Sequence, residues 1–305
     1  MDLLILLQGS YINIFLLYDY PCSCQGWAYR ILVRMTTSEW LILATEELEI
    51  AGIGTARLDC LVMLENVLKI DRAKILANPE TEMVPKNVAA LAKLLNRRAA
   101  HEPLAYILGT TEFYGRNFVI TPAVLEPRPE SETMIELLKN LPNLPRKTHL
   151  ADVGAGSGAL GITAKLEHPE WTVELLEIDE KALKIAQTNV DKYTIGISVI
   201  QSDLLANSGQ VNDILLCNLP YVPDDYQINL AAGQEPPIAI FGGPDGLDLY
   251  RKLFKQIENL SKRPLYLLCE SLPPQHADLA QIAKASGYKL RQTEDFIQVF
   301  ERLAT

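Results

Sequence analysis

The sequence predicts an α/β protein in which a doubly wound parallel β-sheet follows a small N-terminal helical domain. From residue 130 onward, strand-like and helix-like segments alternate along the chain, which is typical of β-α-β units. Residues 37–98 instead repeat apolar side chains at the 3.6-residue spacing of amphipathic helices. The last segment, "YKLRQTEDFIQVFER", predicts a closing pair of strands.

The composition is that of a soluble globular protein and limits the partners it can have. Of the 305 residues, 48% are apolar and 22% are charged, which is ordinary for such proteins. The formal net charge of −10 argues against extended nucleic-acid binding, because neutralising phosphates requires clustered Lys and Arg. Five scattered cysteines and four scattered histidines predict neither a disulfide framework nor a metal site. We therefore expect a cytoplasmic monomer that is not bound to a membrane.

The first 34 residues differ in character from the rest of the chain. The stretch "MDLLILLQGSYINIFLLYDY" is apolar but is interrupted by polar residues, and Asp2 stands where a secretory signal would carry a positive charge. Its apolar run is also shorter than the roughly 20 residues of a membrane span. We interpret residues 1–34 as an atypical N-terminal extension upstream of Met35, with membrane association as the alternative.

Residues 35–104 are predicted to form a helical domain of their own. The segment "SEWLILATEELEIAG" has Ser38 as a candidate N-cap and Gly52 at the end of its helix. The segment "DRAKILANPE" predicts a short helix that ends at Asn78-Pro79.

The character of the sequence changes again in residues 105–129. Aromatic and β-branched residues around Gly109 and Gly115 predict a β-hairpin, and three prolines follow it. We interpret this segment as the connector to the sheet domain, residues 130–305.

A glycine-rich loop follows the first predicted strand of the sheet domain, in "HLADVGAGSGALGI". Glycine allows a tight turn and a close approach of the backbone to a ligand at the carboxyl edge of the sheet. The same residues also satisfy the dinucleotide pattern G-x-G-x-x-A, so the loop alone does not decide the ligand. The predicted ligand-binding loop consists of Gly154, Ala155, Gly156, Ser157 and Gly158.

Three aspartates stand at the carboxyl ends of successive predicted strands. Asp152 precedes the glycine loop, where its charge would repel a pyrophosphate but would attract the sulfonium and ammonium groups of S-adenosyl-L-methionine. Asp179 stands at the usual distance for a carboxylate that binds ribose hydroxyls, and Asp203, followed by Leu204, could accept a bond from the adenine amino group. Each aspartate could instead cap a helix, Asp179 above all. Their joint position favours a site for S-adenosyl-L-methionine.

The fourth strand ends in the tetrapeptide Asn218, Leu219, Pro220, Tyr221. An ordinary turn could use these residues, but the segment resembles the (Asn/Asp/Ser)-Pro-Pro-(Tyr/Phe/Trp) motif of class I methyltransferases that act on a planar NH2 group. The resemblance implies that the Asn218 side-chain oxygen and the Leu219 carbonyl accept the NH2 protons, that Tyr221 stacks on the planar group, and that Asn218 also borders the cofactor. Leu219 departs from the motif, because proline is usual there; its carbonyl is unchanged, but it adds an N–H that needs a partner.

Three further segments identify a narrower resemblance. "EPLAYILGTTEFYG", "LEPRPESE" and "GQEPPIAIFGGPDGLDLYRKL" are similar to segments of the HemK/PrmC-type protein-(glutamine-N5) methyltransferases, in the right order over residues 35–305. Membership would imply a Rossmann-like class I methyltransferase fold, and methyl transfer from S-adenosyl-L-methionine to the glutamine of the Gly-Gly-Gln loop in peptide-chain release factors. Arg128, in the family's Arg-Pro-x-x-Glu segment, is then placed in the substrate site. No metal is implied.

Three other classes of function remain as alternatives. The tetrapeptide also occurs in enzymes that methylate adenine amino groups in ribosomal RNA, but the acidic charge and the absence of a basic C-terminal module argue against that substrate. A catalytically silent S-adenosylmethionine-binding protein is disfavoured because Asn218, Pro220 and Tyr221 are all present. A dehydrogenase is the least favoured, since nothing near the glycine loop suggests an acid or base for hydride transfer.

Overall fold

The structure is a computed structural model that describes residues 3–8, 11–16 and 35–303. It divides into two compact units, one ending at Leu108 and the other beginning at Gly109. Within the predicted extension, the backbone forms an antiparallel pair of strands, β1 (Leu3–Gln8) and β2 (Tyr11–Leu16). The rest of that segment lies outside the described residues.

The first unit is otherwise helical. Its helices are α1 (Thr37–Ile50), α2 (Ala56–Leu68), α3 (Arg72–Ala77), α4 (Pro85–Ala99) and α5 (Leu104–Leu108). Their apolar faces form one core that includes Trp40, Leu48, Met63 and Leu91. Arg98 and Asp59 form a buried ion pair at its side, with 2.7 Å between the guanidinium and the carboxylate.

The N-terminus of α1 corrects one detail of the sequence prediction. The N-cap is Thr36, whose hydroxyl accepts from the Glu39 backbone N–H at 3.2 Å, while the Glu39 carboxylate accepts from the Thr36 N–H at 2.8 Å. This reciprocal pair is a capping box and satisfies two otherwise free donors. Ser38 therefore lies inside the first turn, and its prediction as the cap was wrong. The capping-box spacing, Thr36 to Glu39, was visible in the sequence.

The second unit begins with an antiparallel hairpin and continues as alternating strands and helices. The hairpin consists of β3 (Thr110–Phe113) and β4 (Arg116–Val119). The strands that follow are β5 (His149–Val153), β6 (Thr172–Glu177), β7 (Ser198–Gln201), β8 (Ile214–Cys217), β9 (Tyr266–Glu270), β10 (Tyr288–Glu294) and β11 (Ile297–Arg302). The helices are α6 (Glu132–Lys139), α7 (Ala159–Glu167), α8 (Glu180–Tyr193), α9 (Asp248–Glu258) and α10 (His276–Ala285).

These seven strands form one sheet in the order β10-β11-β9-β8-β5-β6-β7. The five strands β5 to β9 run parallel, and β10 and β11 form the predicted closing antiparallel pair. The chain moves outward from β5 through β6 to β7 and then crosses to β8, on the other side of β5. Ligands of doubly wound sheets bind at the carboxyl ends of strands where the order reverses. The loops after β5 and β8 are therefore the expected walls of a site.

The inner strands are buried along most of their length because helices cover both faces of the sheet. Ile214, Leu215, Leu216 and Cys217, the four residues of β8, are all fully buried. The core around them includes Tyr250 of α9, whose hydroxyl donates to main-chain carbonyls of this region. This rigid centre fixes the positions at which the loops leave the sheet.

Candidate active site

A cavity of about 240 Å³ lies at the carboxyl edge of the sheet. One water needs roughly 10–15 Å³ by the same measure, so the space suits a small molecule. Eleven of the residues predicted from the sequence to form the site line this cavity, namely Asp152, Gly154, Ala155, Gly156, Ser157, Asp179, Asp203, Leu204, Asn218, Leu219 and Pro220. Gly158, Tyr221 and Arg128 do not line it.

The glycine loop contains backbone conformations with positive φ, which favour glycine. Gly154 has φ of +72°, and its N–H donates to the Leu176 carbonyl at 2.8 Å. Gly158 has φ of +80° and serves packing instead, because a Cβ there would lie 2.8 Å from the Leu175 side chain. The buried amide of Asn189 donates to the Ser157 carbonyl at 2.9 Å. Asn189 is a supporting residue that the sequence analysis missed.

Glu177 is the acidic residue that ends β6. Its carboxylate accepts from the backbone N–H groups of Gly156 at 2.8 Å, Ile178 at 2.8 Å and Asp179 at 2.9 Å. Glu177 lines the cavity and is 7% exposed. It therefore links the glycine loop to the end of the neighbouring strand, and the sequence analysis did not select it.

Asp179 lines the same cavity but has a second, structural task. Its carboxylate accepts from the N–H groups of Lys181 and Ala182 at 2.8 and 2.9 Å, which makes it the N-cap of α8. Capping was the alternative that the sequence left open for this residue. The position of the Asp179 carboxylate is thus set by the first turn of α8, whereas the Glu177 carboxylate is held between the glycine loop and the end of β6.

Asp152 is buried to 1% exposure below the glycine loop. One oxygen accepts from the Gly161 N–H at 2.8 Å. Burial, and to a smaller extent the nearby Glu177 carboxylate, raises the pKa of Asp152 to about 7. A cation in the cavity would favour the ionised form, so this carboxyl can sense the charge of a ligand.

The third aspartate, Asp203, lies at the outer wall of the cavity. Its carboxylate pairs with the Lys252 ammonium at 2.5 Å, and both side chains remain partly exposed. The next residue, Leu204, has φ of +54° and a buried side chain. The Gln256 side chain accepts from the Leu205 N–H and donates to the Asp203 carbonyl, which fixes this turn.

Asn218 follows β8 directly and faces the glycine loop across the cavity. Its amide nitrogen donates to the Ser131 hydroxyl at 2.9 Å. Leu219 is 2% exposed, and a Cβ on Gly154 would lie 3.0 Å from its Cδ2 atom. The Leu219 side chain, which stands where the motif usually has proline, is therefore buried by packing against the glycine loop.

The segment "FGGPDG" lies directly behind the tetrapeptide. The Val222 N–H donates to the Ile240 carbonyl at 3.0 Å, and the Gly242 N–H donates to the Val222 carbonyl at 2.9 Å. Gly246 has φ of +77°, and a Cβ there would lie 2.0 Å from the Tyr221 carbonyl oxygen. The glycines of this segment are thus needed for close backbone contact, where the sequence alone also allowed a simple turn.

Tyr221 and Arg128 interact with buried glutamates beside the cavity. The Tyr221 ring packs against the core, and its hydroxyl donates to the Glu270 carboxylate at 3.0 Å. Arg128 donates to Glu235, which also accepts from the Glu126 N–H at 3.1 Å. Burial raises the pKa of Tyr221, Glu270 and Glu235. Neither Glu235 nor Glu270 was selected as a site residue from the sequence.

The residues that the structure describes were compared with the requirements of a metal site and of a membrane span. Among them, no cluster of three or more His, Cys, Asp or Glu side chains is placed to hold a metal ion. None of their helices combines the length and the apolar character needed to cross a membrane.

Comparison with known proteins finds similar sequences along most of the chain. Two family models match the chain, the PrmC N-terminal domain over residues 39–109 and the methyltransferase small domain over residues 131–235. A release factor glutamine methyltransferase of Coxiella burnetii is 34% identical, over 77% of this chain and 86% of its own length. A release factor glutamine methyltransferase of Koribacter versatilis is 35% identical, over 73% of this chain and 81% of its own length. Among solved structures, the ribosomal protein L11 methylase of Lactobacillus delbrueckii subsp. bulgaricus aligns with a TM-score of 0.42 at 16% identity, covering 58% of this chain and 81% of that one.

The sheet, the glycine loop and the asparagine loop after β8 define a class I methyltransferase. More narrowly, the chain belongs to the family of release factor glutamine methyltransferases. The predictions of the family, of the fold class and of methyl transfer with S-adenosyl-L-methionine are confirmed. The roles of single residues and the domain boundaries stay predictions.

Proposed function

We propose that this protein methylates the side-chain amide nitrogen (N5) of the glutamine in the Gly-Gly-Gln loop of peptide-chain release factors. The observation that carries the proposal is the position of Asn218, at the cavity and directly after β8, in a chain of this family. A planar amide nitrogen is a weak nucleophile because its lone pair is delocalised into the carbonyl. The site must therefore orient the NH2 group and bring it close to an activated methyl group.

The residues of the cavity fit S-adenosyl-L-methionine. When bound, it supplies an electrophilic methyl group on a sulfonium. The buried Asp152 carboxyl suits the positive charges of its methionine part, and Glu177 suits the two ribose hydroxyls. Ile178 and Leu204 provide apolar surface for the adenine ring. We infer that Glu177, rather than the helix cap Asp179, holds the ribose.

Asn218 and Leu219 orient the substrate nitrogen. The Asn218 side-chain oxygen and the Leu219 main-chain carbonyl each accept one N–H of the amide, which directs the nitrogen lone pair away from these acceptors and toward the methyl group. As the nitrogen–carbon bond forms and the sulfur–carbon bond breaks, the nitrogen becomes acidic and releases one proton to water. The residues that hold the NH2 group therefore need no strong base beside them. Tyr221 would stack on the amide, and Arg128 would support the loop that receives the substrate.

The partner in this proposal is a release factor protein, with the helical unit as its docking platform. The acidic net charge of −10 supports a protein substrate over extended nucleic acid. We place the reaction in the cytoplasm, where translation termination supplies the substrate, and we expect the enzyme to act as a monomer.

Transfer of label from methyl-tritiated S-adenosyl-L-methionine tests the proposal. Three reactions contain a release factor, the same factor with its loop glutamine changed to alanine, and unmethylated ribosomal RNA. Label is expected in the first reaction only. Label in the RNA, or in the alanine variant, would overturn the substrate assignment. In the same assay Asn218→Ala should abolish transfer while binding of the methyl donor persists.

A further inference from the structure

Ser131 stands between Asn218 and the buried glutamate at the end of β9. Its hydroxyl lies 2.9 Å from the Asn218 amide nitrogen and 2.5 Å from Glu270 Oε2. Ser131 is 2% exposed and Glu270 is 1% exposed. Asn218 and Glu270 stand 87 and 139 residues after Ser131 along the chain. The three side chains form a continuous hydrogen-bonded chain that runs from the core to the cavity.

The chemistry of the three groups fixes the direction of each hydrogen bond. Two hydroxyl donors, Ser131 and Tyr221, favour the ionised form of Glu270 against its burial, and an ionised carboxylate only accepts. The single Ser131 proton is therefore donated to Glu270. The Ser131 oxygen can then only accept from its other neighbour, and of the two ends of the Asn218 carboxamide only the NH2 end donates. The carboxamide oxygen is thereby left for the cavity, where the proposed reaction needs an acceptor.

We propose that Glu270, acting through Ser131, is a positioning residue that holds the Asn218 carboxamide with its oxygen toward the substrate. This inference rests on the proposed function, since it assigns Asn218 the task of accepting an N–H from the glutamine amide. A carboxamide turned by 180° would present NH2 to NH2 and would repel the substrate. The oxygen and nitrogen ends are nearly equal in size, so packing alone cannot choose between them.

The same carboxylate also holds the other end of the tetrapeptide. Glu270 Oε1 accepts from the Tyr221 hydroxyl at 3.0 Å, while Oε2 serves Ser131. The Tyr250 hydroxyl lies 2.5 Å from the Glu270 carbonyl and 2.9 Å from the Cys217 carbonyl, so the backbones of β8 and β9 are tied at this point. One buried charge therefore sets the orientation of both Asn218 and Tyr221, although it does not line the cavity itself.

The test replaces the charge without changing the size of the side chain. In Glu270→Gln the new NH2 group can donate to Ser131, which frees the Ser131 proton to bond the Asn218 oxygen and reverses the carboxamide. We expect kcat for release-factor methylation to fall roughly 10- to 100-fold, by analogy with the loss of one well-placed hydrogen bond. Kd for S-adenosyl-L-methionine should change by less than about threefold, since the methyl donor does not depend on which end of Asn218 faces the substrate amide. The kcat/KM for the release factor should fall at least as much as kcat, because the reversed carboxamide also repels the bound amide.

Two controls separate orientation from general damage. Glu174→Gln alters a carboxylate that is also buried and also accepts from a serine and an asparagine, Ser208 and Asn212, but that does not line the cavity. It should keep the wild-type kcat. Ser131→Ala should lose activity as Glu270→Gln does, and Ser131→Thr, which restores the hydroxyl, should recover most of it.

The outcomes distinguish this inference from the proposed function. If the wild-type protein does not label the release factor, the proposed function is refuted by the wild type alone. If the wild type is active and Glu270→Gln or Ser131→Ala keeps its kcat, the positioning role is overturned. Loss of kcat in Glu174→Gln to the same extent would also overturn it, because the effect would then follow from any buried carboxylate of the sheet. Should Glu270→Gln fail to fold, the Ser131→Ala and Ser131→Thr pair decides the question alone.

Discussion

Binding of S-adenosyl-L-methionine should be linked to the ionisation of Asp152. In the ligand-free protein the pKa of this buried carboxyl is raised to about 7, and a cation beside it favours the ionised form. Binding should therefore release a proton whenever the pH is below about 7. At pH 6 only about one molecule in eleven is already ionised, whereas at pH 8 nearly all are. The Asp152 contribution to affinity should thus be about tenfold weaker at pH 6 than at pH 8, or about 1.4 kcal/mol.

The substitution Asp152→Asn isolates this contribution. The ligand's own amino group, with an ordinary pKa of about 7.7–8.0, loses charge over the same pH range and opposes the effect. The ratio of Kd values, variant over wild type, cancels that titration and should rise about tenfold between pH 6 and pH 8. Isothermal titration calorimetry in buffers of different ionisation enthalpy measures both Kd and the number of protons released. If the ratio of Kd values stays constant with pH, and the variant and the wild type release the same number of protons on binding at pH 6, the role assigned to Asp152 is refuted.

Stability provides an independent check on the same residue. Because the pKa of Asp152 in the folded protein is above its ordinary 3.8, ionisation in the folded state costs stability as the pH rises from about 4 to 7. The cost reaches at most about 4 kcal/mol above pH 7, at 1.36 kcal/mol per unit. Asp152→Asn removes it, so the variant should unfold at a higher temperature than the wild type at pH 8 and should lose this advantage near pH 4. Weaker binding by a more stable protein cannot be attributed to unfolding.

Four further substitutions test the site. Glu177→Gln should weaken S-adenosyl-L-methionine binding roughly 10- to 100-fold in calorimetry, as expected for loss of a hydrogen bond to a charged group. Asp179→Ala should mainly lower stability, by about 1 kcal/mol, through loss of the helix cap. Equal effects of the two substitutions on Kd would contradict the assignment of ribose binding to Glu177 and of helix capping to Asp179. Gly246→Ala should reduce kcat more than tenfold, because its Cβ would displace the Tyr221 carbonyl and move the catalytic loop, and unchanged turnover would show that this loop can shift freely. Leu219→Pro should keep most of the turnover, since the carbonyl remains, but should cost about 1–3 kcal/mol in denaturant unfolding through lost packing and a lost N–H donor.

The fold was predictable because its signals are local. Alternating strand and helix patterns, and a glycine loop after the first buried strand, specify a doubly wound sheet without knowledge of any long-range contact. The rule that parallel strands present their carboxyl ends at one edge then brought together Asp152, Asp203 and Asn218, which are far apart in the sequence, and the structure places all three at one cavity.

Residues that act through side-chain direction or distant partners were not predictable in this way. In "LLEIDEKAL" two acidic residues stand two positions apart, and only the structure shows that Glu177 ends the strand at the cavity while Asp179 caps the helix. The helix pattern that begins at Glu180 was the available signal, because it makes position 179 an N-cap. Ser131 and Glu270 carry no local signal, since their significance arises only where the folded chain brings them to Asn218.

The two motifs of the site depend on each other through direct packing. Leu219 lies behind Gly154 so closely that any side chain at position 154 would meet its Cδ2 atom at 3.0 Å. Gly154 is favoured by its positive φ, and a Cβ at this position would in addition require the Leu219 side chain to shift by a few tenths of an ångström. A larger residue at 154 would push on the loop that holds the substrate amide as well as on the loop that holds the methyl donor. Since in-line transfer requires the two reacting atoms within about 3–3.5 Å, a side chain at position 154 that moved either loop would disturb the geometry on which the proposed reaction depends.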